Sequence, residues 1–318
     1  MILCAGEAVI DMILSPVSGF GEVFLPLPGG CAYNTSIAIS RLGVPVSFMG
    51  RLSTSFFGEM QVKRLIENNV KDNLLIRSGQ NTILAFIKVE KGSEPQYAFY
   101  DEGTVDRLFS PEELPPELPA DTTCIVFGSI SMAMEPIAST IESLIIKEAA
   151  KQKVIAFDPN IRPFLIKDRD AYIKRFEKWA AVSTIVKISL EDFDYIHPNP
   201  EPQEALEKII AMGTRLAIIT LGPQGAIALL RRDDGNITKV NVPGFFIPKL
   251  ADTVGAGDTF HGALLAWLKQ RDKMSPEKIA NLCEKDLYDS LVFANKAAAI
   301  VCTRNGAEPP TLEEILNL

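Results

Sequence analysis

Histidine is scarce in this chain. Only His197 and His261 occur in 318 residues, too few for a histidine-built metal centre. The five cysteines, Cys4, Cys31, Cys124, Cys283 and Cys302, are odd in number and form no C-x-x-C pair. All but Cys283 have apolar or small neighbours, so they read as reduced, mostly structural thiols of a cytoplasmic protein. Positive charge is in deficit: 32 Lys and Arg face 40 Asp and Glu, for a net charge of −8. Without a basic face, nucleic acid and anionic membranes are poor partners. No apolar run reaches the roughly 18 residues of a membrane span. The opening Met1-Ile2-Leu3-Cys4-Ala5-Gly6-Glu7 lacks the basic region of a signal peptide.

Familiar phosphate signatures are missing as well. There is no G-x-x-x-x-G-K-[ST], which excludes a P-loop enzyme, and Gly255-x-Gly257 is followed by Phe260 where a dinucleotide fingerprint needs glycine. The HRD and DFG signatures of protein kinases are absent too. There are no repeats and no low-complexity segments.

What is present is an ordinary globular composition, 47% hydrophobic and 23% charged. The length suits one large α/β domain or two smaller ones, with a core that needs no disulfide or metal. Buried-type strands are expected at residues 1–5, 46–49, 124–128, 154–157, 184–188 and 216–220. Helices are expected at 32–42, 57–68, 136–152, 171–181, 204–212, 259–270, 276–283, 286–301 and 312–316. Apolar strands separated by helices imply a mostly parallel, doubly wound sheet covered on both faces. Residues 226–231 and 239–242 read as antiparallel additions around the turn at Asp233-Asp234-Gly235-Asn236. Two stretches break the rhythm, Asp11 to Pro28 and Asn81 to Tyr100, the latter turning at Lys91-Gly92-Ser93-Glu94-Pro95. Both read as β-hairpins that would pair into a small separate sheet. The expected division is a core of 1–11, 29–80 and 101–318, with a lid of 12–28 and 81–100. An apolar face on such a lid needs a substrate, the main domain or a second subunit to cover it.

The chemistry centres on Asp252-Thr253-Val254-Gly255-Ala256-Gly257-Asp258-Thr259-Phe260. Three small residues let the backbone approach a ligand, and the helix that follows aims free N–H groups at it. Asp258 sets a carboxylate beside this anion cradle. A cradle for phosphate charge next to a proton acceptor is what phosphoryl transfer to a hydroxyl requires. Taken alone, the same residues also read as a tight turn with an Asp near a helix cap.

Four other clusters are open in the same way. Asp11, just past the first strand, is placed to grip vicinal sugar hydroxyls, or is an ordinary turn residue. Gly29-Gly30-Cys31-Ala32-Tyr33-Asn34 opens a helix, with Asn34 offering both a donor and acceptors. Arg162, in Asp158-Pro159-Asn160-Ile161-Arg162-Pro163, suits a sugar or phosphate oxygen, or is solvated at a Pro-bounded turn. Thr220-Leu221-Gly222-Pro223-Gln224-Gly225-Ala226 joins two strands and suits a nucleotide, or is a plain hairpin turn.

In order and spacing these clusters resemble the ribokinase/fructokinase (PfkB) family of sugar kinases over the whole length. Gly29-Gly30 to Asn34 is similar to the family's N-terminal signature, and Asp252 to Asp258 to its D-T-x-G-A-G-D signature. The resemblance implies a ribokinase-like α/β fold with a small β lid, and transfer of the γ-phosphoryl of ATP to a sugar or nucleoside hydroxyl. It implies Asp258 as the catalytic base, with Gly255, Ala256 and Gly257 forming the anion hole. Asp11, Gly29, Gly30 and Asn34 would contact sugar. Thr220, Gly222 and Gly225 would line the ATP site, with Asn295 near the adenine. Asp252 and the carbonyl of Val254 would belong to a monovalent-cation (K⁺) site. The family's N-x-x-E element, which serves Mg²⁺ and phosphate through water, departs here: Ser189 stands for the Asn and Asp192 for the Glu, with Glu191 a substitute.

Two segments lean toward fructose. Asp158 to Arg162 resembles D-P-N-x-R of fructokinases. Phe99-Tyr100-Asp101-Glu102-Gly103-Thr104-Val105-Asp106-Arg107 resembles their F-Y-x-x-x-x-A-D-R, with Val105 for Ala expected to narrow the pocket. Phe99 and Arg162 thus join the sugar-contact set. The alternatives are a 2-keto-3-deoxygluconate kinase or ribokinase of the same family, or a catalytically silent sugar-binding regulator on the same fold. A homodimer through the lid is the expected assembly.

Overall fold

The computed structural model describes residues 1–17, 21–88, 96–247 and 249–318. Its strands and helices run β1 (Ile2–Ala5), β2 (Val9–Val17), β3 (Gly21–Gly29), α1 (Cys31–Arg41), β4 (Val46–Ser53), α2 (Phe56–Glu67), β5 (Lys71–Ser78), β6 (Ile83–Lys88) and β7 (Gln96–Tyr100). Then come β8 (Cys124–Gly128), α3 (Ile137–Ala150), β9 (Val154–Asp158), α4 (Arg169–Val182), β10 (Ile185–Ser189), α5 (Leu190–Ile196), α6 (Pro202–Met212) and β11 (Leu216–Thr220). The chain ends with β12 (Ala226–Arg231), β13 (Ile237–Val242), α7 (Ala256–Gln270), α8 (Pro276–Ala280), α9 (Glu284–Val301) and α10 (Leu312–Leu316).

A nine-stranded sheet has the order β13-β12-β11-β10-β9-β8-β1-β4-β5. Its pairs are parallel from β5 to β11, and β12 and β13 add antiparallel. The alternation of side chains along a strand sorts the core into two layers. Ile2 and Cys4 face one layer with Leu264 of α7 and Leu291 of α9. Leu3 and Ala5 face the other with Phe176 of α4 and Leu206 of α6. The sheet is therefore doubly wound. From β1 the chain builds out to β4 and β5 on one side, then returns to β8 on the other. The crevice at the ends of β1 and β8 is a topological switch point, where open α/β sheets bind ligands.

A second sheet has the order β3-β2-β6-β7. Its two halves are antiparallel hairpins, β2–β3 and β6–β7, joined by parallel pairing of β2 with β6. Strand pairing in the first hairpin runs from Val9↔Gly29 to Val17↔Gly21. Asp11 therefore lies within β2, on the small sheet, rather than past the end of β1. The expected turn at Lys91 to Pro95 lies outside the described residues.

Some boundaries differ from the sequence pattern for local reasons. β4 continues through Gly50 to Ser53, because a glycine lets the backbone pass the carbonyl of Gly6, which a Cβ would meet at 2.4 Å. β5 was not apparent in the sequence, since a half-exposed edge strand with charged ends carries little apolar signal. α5 was also hidden; it is short and starts on a Ser189 cap. α8 stops at Ala280, and Cys283 instead caps α9, its Sγ accepting the N–H of Asp286 at 3.4 Å. α7 starts three residues earlier than the apolar pattern does, at Ala256.

Candidate active site

Two clefts meet at the start of α7. The first, of about 210 Å³, lies between the small sheet and the switch point, and is lined by Asp11, Asn34, Phe99, Asn160, Arg162 and Asp258 among others. The second, of about 380 Å³, lies between the β11–β12 turn, the segment after β13 and α9. Thr253 and Gly257 line both.

The turn between the clefts is shaped by glycine. Gly255 caps α7 with φ +73, a left-handed conformation, and a Cβ there would meet that of Ala307 at 2.6 Å. The N–H of Ala256 is tied to the carbonyl of Thr253 at 3.2 Å, and that of Thr259 to Gly255 at 2.8 Å. The N–H groups of Gly257 and Asp258 fall in between, ahead of the intrahelical ladder, at the positive end of a 15-residue helix. Asp252 braces the turn, with Oδ1 accepting the N–H of Val254 and Oδ2 that of Gly306, both at 3.0 Å.

Asp258 is buried and lines the first cleft. Its Oδ2 accepts from Asn34 Nδ2 of α1 at 2.9 Å. Burial raises its carboxyl above the usual range, the Asp158 charge raises it further, and the Asn34 hydrogen bond opposes both. A poised carboxylate of this kind can take a proton from a hydroxyl.

The other wall of the first cleft is the inner face of the small sheet. Asp11, Ala85 and Phe99 are in register across β2, β6 and β7 and all line it. Asp11 leans over Gly29, where a Cβ would come 2.2 Å from its Oδ2, so Gly29 makes room for the carboxylate. Burial and then the Asp258 charge push Asp11 up to about 7, against the opposing charge of Arg162. Gly30 caps α1 and lines the cleft. The Arg162 guanidinium folds back on its own turn, donating to Asn160 Oδ1 at 2.9 Å and to the Ile161 carbonyl at 3.0 Å.

Among the residues expected at the nucleotide, Thr220, Gly222, Gly225 and Asn295 line the second cleft, with Ala256. Asn295 also donates to the carbonyl of Pro243 at 3.2 Å. Ser189 is not in that lining; its hydroxyl caps α5 by accepting the N–H of Asp192 at 2.9 Å. Asp192 in turn accepts the N–H of Ile161 at 3.0 Å, tying α5 to the Asp158–Arg162 turn, while Glu191 is exposed to solvent. Val254 lines the first cleft beside Gly255.

Several site residues were not evident in the sequence. Glu7 is buried where β1 ends; it accepts the N–H groups of Cys31 at 3.3 Å and Ser131 at 3.2 Å and the Ser131 hydroxyl. It joins the ends of β1 and β8 to the start of α1. Cys31 lines the first cleft and Cys302 the second, so two of the cysteines read as structural lie at cleft walls. Phe245, Ile247 and Phe260 give the second cleft its apolar body. Phe245 and Ile247 lie in a loop, where apolar residues carry no periodicity, so no pattern marked those two. Val105 is fully buried outside the cleft lining, so its two extra carbons relative to Ala pack in the core and do not narrow the pocket as expected. Its neighbours are scaffold: Asp106 accepts the N–H of Ala8 at 3.0 Å and Arg107 pairs with Asp101 at 2.7 Å.

Residues 1–314 match the family described as pfkB family carbohydrate kinase. The chain is 37% identical over 287 residues to a fructokinase of Rhizobium leguminosarum bv. trifolii, covering 90% of this chain and 85% of that one. It is 33% identical over 328 residues to fructokinase-1 of Zea mays, covering 100% and 97%. Among solved structures, a fructokinase from Xylella fastidiosa with bound ATP superposes with a TM-score of 0.88 at 26% identity, over 99% of this chain and 97% of that one. An uncharacterized sugar kinase from Pyrococcus horikoshii in complex with ATP gives 0.83 at 28% identity, over 100% and 98%. With its ribokinase-like fold and its two clefts meeting on a glycine turn, the chain belongs to the pfkB family of carbohydrate kinases.

Proposed function

We propose that this protein transfers the γ-phosphoryl of ATP to O6 of D-fructose. The observation that carries the reading is the shared wall of the two clefts: Gly257 borders both, and Asp258 follows it inside the first. Sugar in the first cleft is held by Asp11, Asn34, Asn160 and Arg162 under the Phe99 side of the small sheet. ATP lies in the second, its adenine end among Phe245, Ile247 and Asn295 and its phosphates toward Gly257.

In the transfer step Asp258 accepts the proton of the attacking hydroxyl as the new O–P bond forms and the bond to ADP breaks. Asn34 holds the Asp258 carboxylate in orientation. The N–H groups of Gly257 and Asp258 stabilise charge on the transferring group, and closure by the small sheet keeps water from competing as acceptor. Magnesium would be held mainly by ATP phosphates and water, with Asp192 behind the water; it would supply charge neutralisation. Asp252 and the Val254 carbonyl suit a monovalent cation beneath the turn, since Asp252 already links both loops there.

Fructose is favoured by the D-P-N-x-R and F-Y segments and by fructokinases among the relatives. The outer face of the small sheet supports self-association. Phe24, Phe86 and Tyr100 form an edge-to-face row with centroids 4.9 and 5.5 Å apart, and Tyr100 is 63% exposed. The deciding assay is ADP release with ATP, Mg²⁺ and K⁺, over fructose, ribose, 2-keto-3-deoxygluconate and adenosine. Fructose must rank first in kcat/KM; another sugar in that place keeps the kinase and discards the substrate, and no turnover with any leaves a silent binder.

A further inference from the structure

Behind the turn lies a buried ion pair that borders neither cleft. Lys187 on β10 donates from Nζ to Asp158 Oδ2 on β9 at 2.9 Å, and the side chains are 5% and 1% exposed. Strand alternation puts both on the sheet face beneath α7: Ala156 and Ile185, each two residues earlier, belong to that layer. The helix approaches so closely that a Cβ on Gly257 would lie 2.8 Å from Lys187 Nζ. His261, one turn along α7 from Asp258, brings Nδ1 to 3.7 Å from the same Asp158 oxygen.

We infer that Lys187 is a positioning residue for phosphoryl transfer: its ammonium, locked by Asp158 under the Cα of Gly257, sets the height of the turn and offsets the Asp158 charge beside Asp258. The inference rests on the sugar-kinase reading of the site. The pair is not needed to fill space, since a buried ion pair loses so much hydration that apolar replacements are often neutral or stabilising. Its location gives it another consequence. Asp258 faces Cys31 and Asn34 from α1, Asp158 from β9 and Lys187 from β10, while His261 on its own helix faces Asp158. Asp11 faces Asp258 across the cleft, and Arg162 and Asp252 act on Asp11. Of the groups around Asp258 itself, Lys187 is the cation of the pair, and Asp158 is its counter-charge. Burial alone would push Asp158 up, but Lys187 and His261 hold it at about 2, so the pair is ionised. With both charges in place, Lys187 lowers the Asp258 carboxyl against the rise that burial and Asp158 impose.

The test uses Lys187→Met, Asp158→Asn and the double variant in the full chain. The Asp258 carboxyl carbon is titrated by NMR without ligands, and kcat is measured against pH with fructose and ATP. Lys187→Met leaves Asp158 uncompensated, so the Asp258 titration and the acid limb of kcat move up by about one pH unit or more. Asp158→Asn leaves the cation uncompensated, so both move down by a similar amount. The double variant falls between the two single variants. An Asp258 titration that does not move, or that moves the same way in both single variants, overturns the inference. Should Lys187→Met not fold, the sign of the shift in the near-isosteric Asp158→Asn decides alone. Absence of sugar-dependent ADP release in the wild type would instead sink the kinase reading, and the ligand-free titration still judges Lys187.

Discussion

Asn34 Nδ2 and Asp258 Oδ2 are 2.9 Å apart, although 224 positions separate the two residues in the chain. One comes from the first helix of the core and the other from the turn that opens α7. Their hydrogen bond favours the charged carboxylate in a buried site that otherwise disfavours it. Removing either partner therefore has a defined consequence. Asp258→Asn keeps the shape and loses the proton acceptor, and kcat is expected to fall by ~10²–10⁴. Calorimetry should find fructose and ATP binding within a few-fold of wild type. Loss of binding together with a collapse of the thermal midpoint would make Asp258 a structural residue.

Asn34→Ala should act through the same carboxylate. Without the donor Asp258 takes its proton at higher pH, so the acid limb of the kcat profile moves upward. The rate above pH 9 should recover part of the loss. A profile displaced in height alone would mean that Asn34 serves only the sugar.

Asp11 gives a separate pH dependence. With its carboxyl at about 7 in the empty cleft, lowering the pH removes the acceptor that sugar hydroxyls need. The KM for fructose should rise as the pH falls from 8 to 6, toward about tenfold per unit at the lower end. Asp11→Asn should raise KM and flatten that slope. A KM independent of pH in the wild type would remove Asp11 from sugar binding.

Gly257→Ala tests the close approach of α7 to the sheet. The added methyl meets Lys187 Nζ at 2.8 Å, so the turn or the ammonium must shift. A shift near 1 Å at the anion cradle should lower kcat on the order of 100-fold while the thermal midpoint moves by only a few degrees. Unchanged kcat would show that the turn does not set the geometry of transfer.

Asp106 is a stability prediction. Burial pushes its carboxyl up to about 8, against the hydrogen bond from the Ala8 N–H. A raised carboxyl holds more protons folded than unfolded between its ordinary value and about 8. Its contribution is therefore greatest at low pH and is lost as the pH rises through that window. The thermal midpoint of wild type should drop between pH 6 and pH 9, and Asp106→Asn should lessen the drop. An equal drop in both proteins would refute this.

The sequence and the structure divide the site between them in a physically intelligible way. Short apolar strands separated by helical periods, and glycines before an Asp at a helix start, are local features, so the doubly wound sheet and the Gly255–Asp258 turn could be read directly. The two hairpins were visible as interruptions. Only the parallel pairing of β2 with β6 makes them one sheet, and only that sheet's pleat puts Asp11, Ala85 and Phe99 on one face. Ser189 and Asp192 show the limit from the other side. Beyond their match by position to a metal element, Ser189 caps α5 and Asp192 Oδ1 holds the Ile161 turn, contacts that only the packed structure shows.

By itself, then, the sequence determined the architecture and the glycine turn that ends in Asp258, because each depends on residues close together in the chain. Tertiary structure decided what surrounds them. Glu7 beside Cys31, Lys187 beneath Gly257, and Cys302 in the wall of the second cleft are meetings of distant segments. Burial there sets the charge state of each carboxylate, and burial is a property of the packed whole that no local pattern carries.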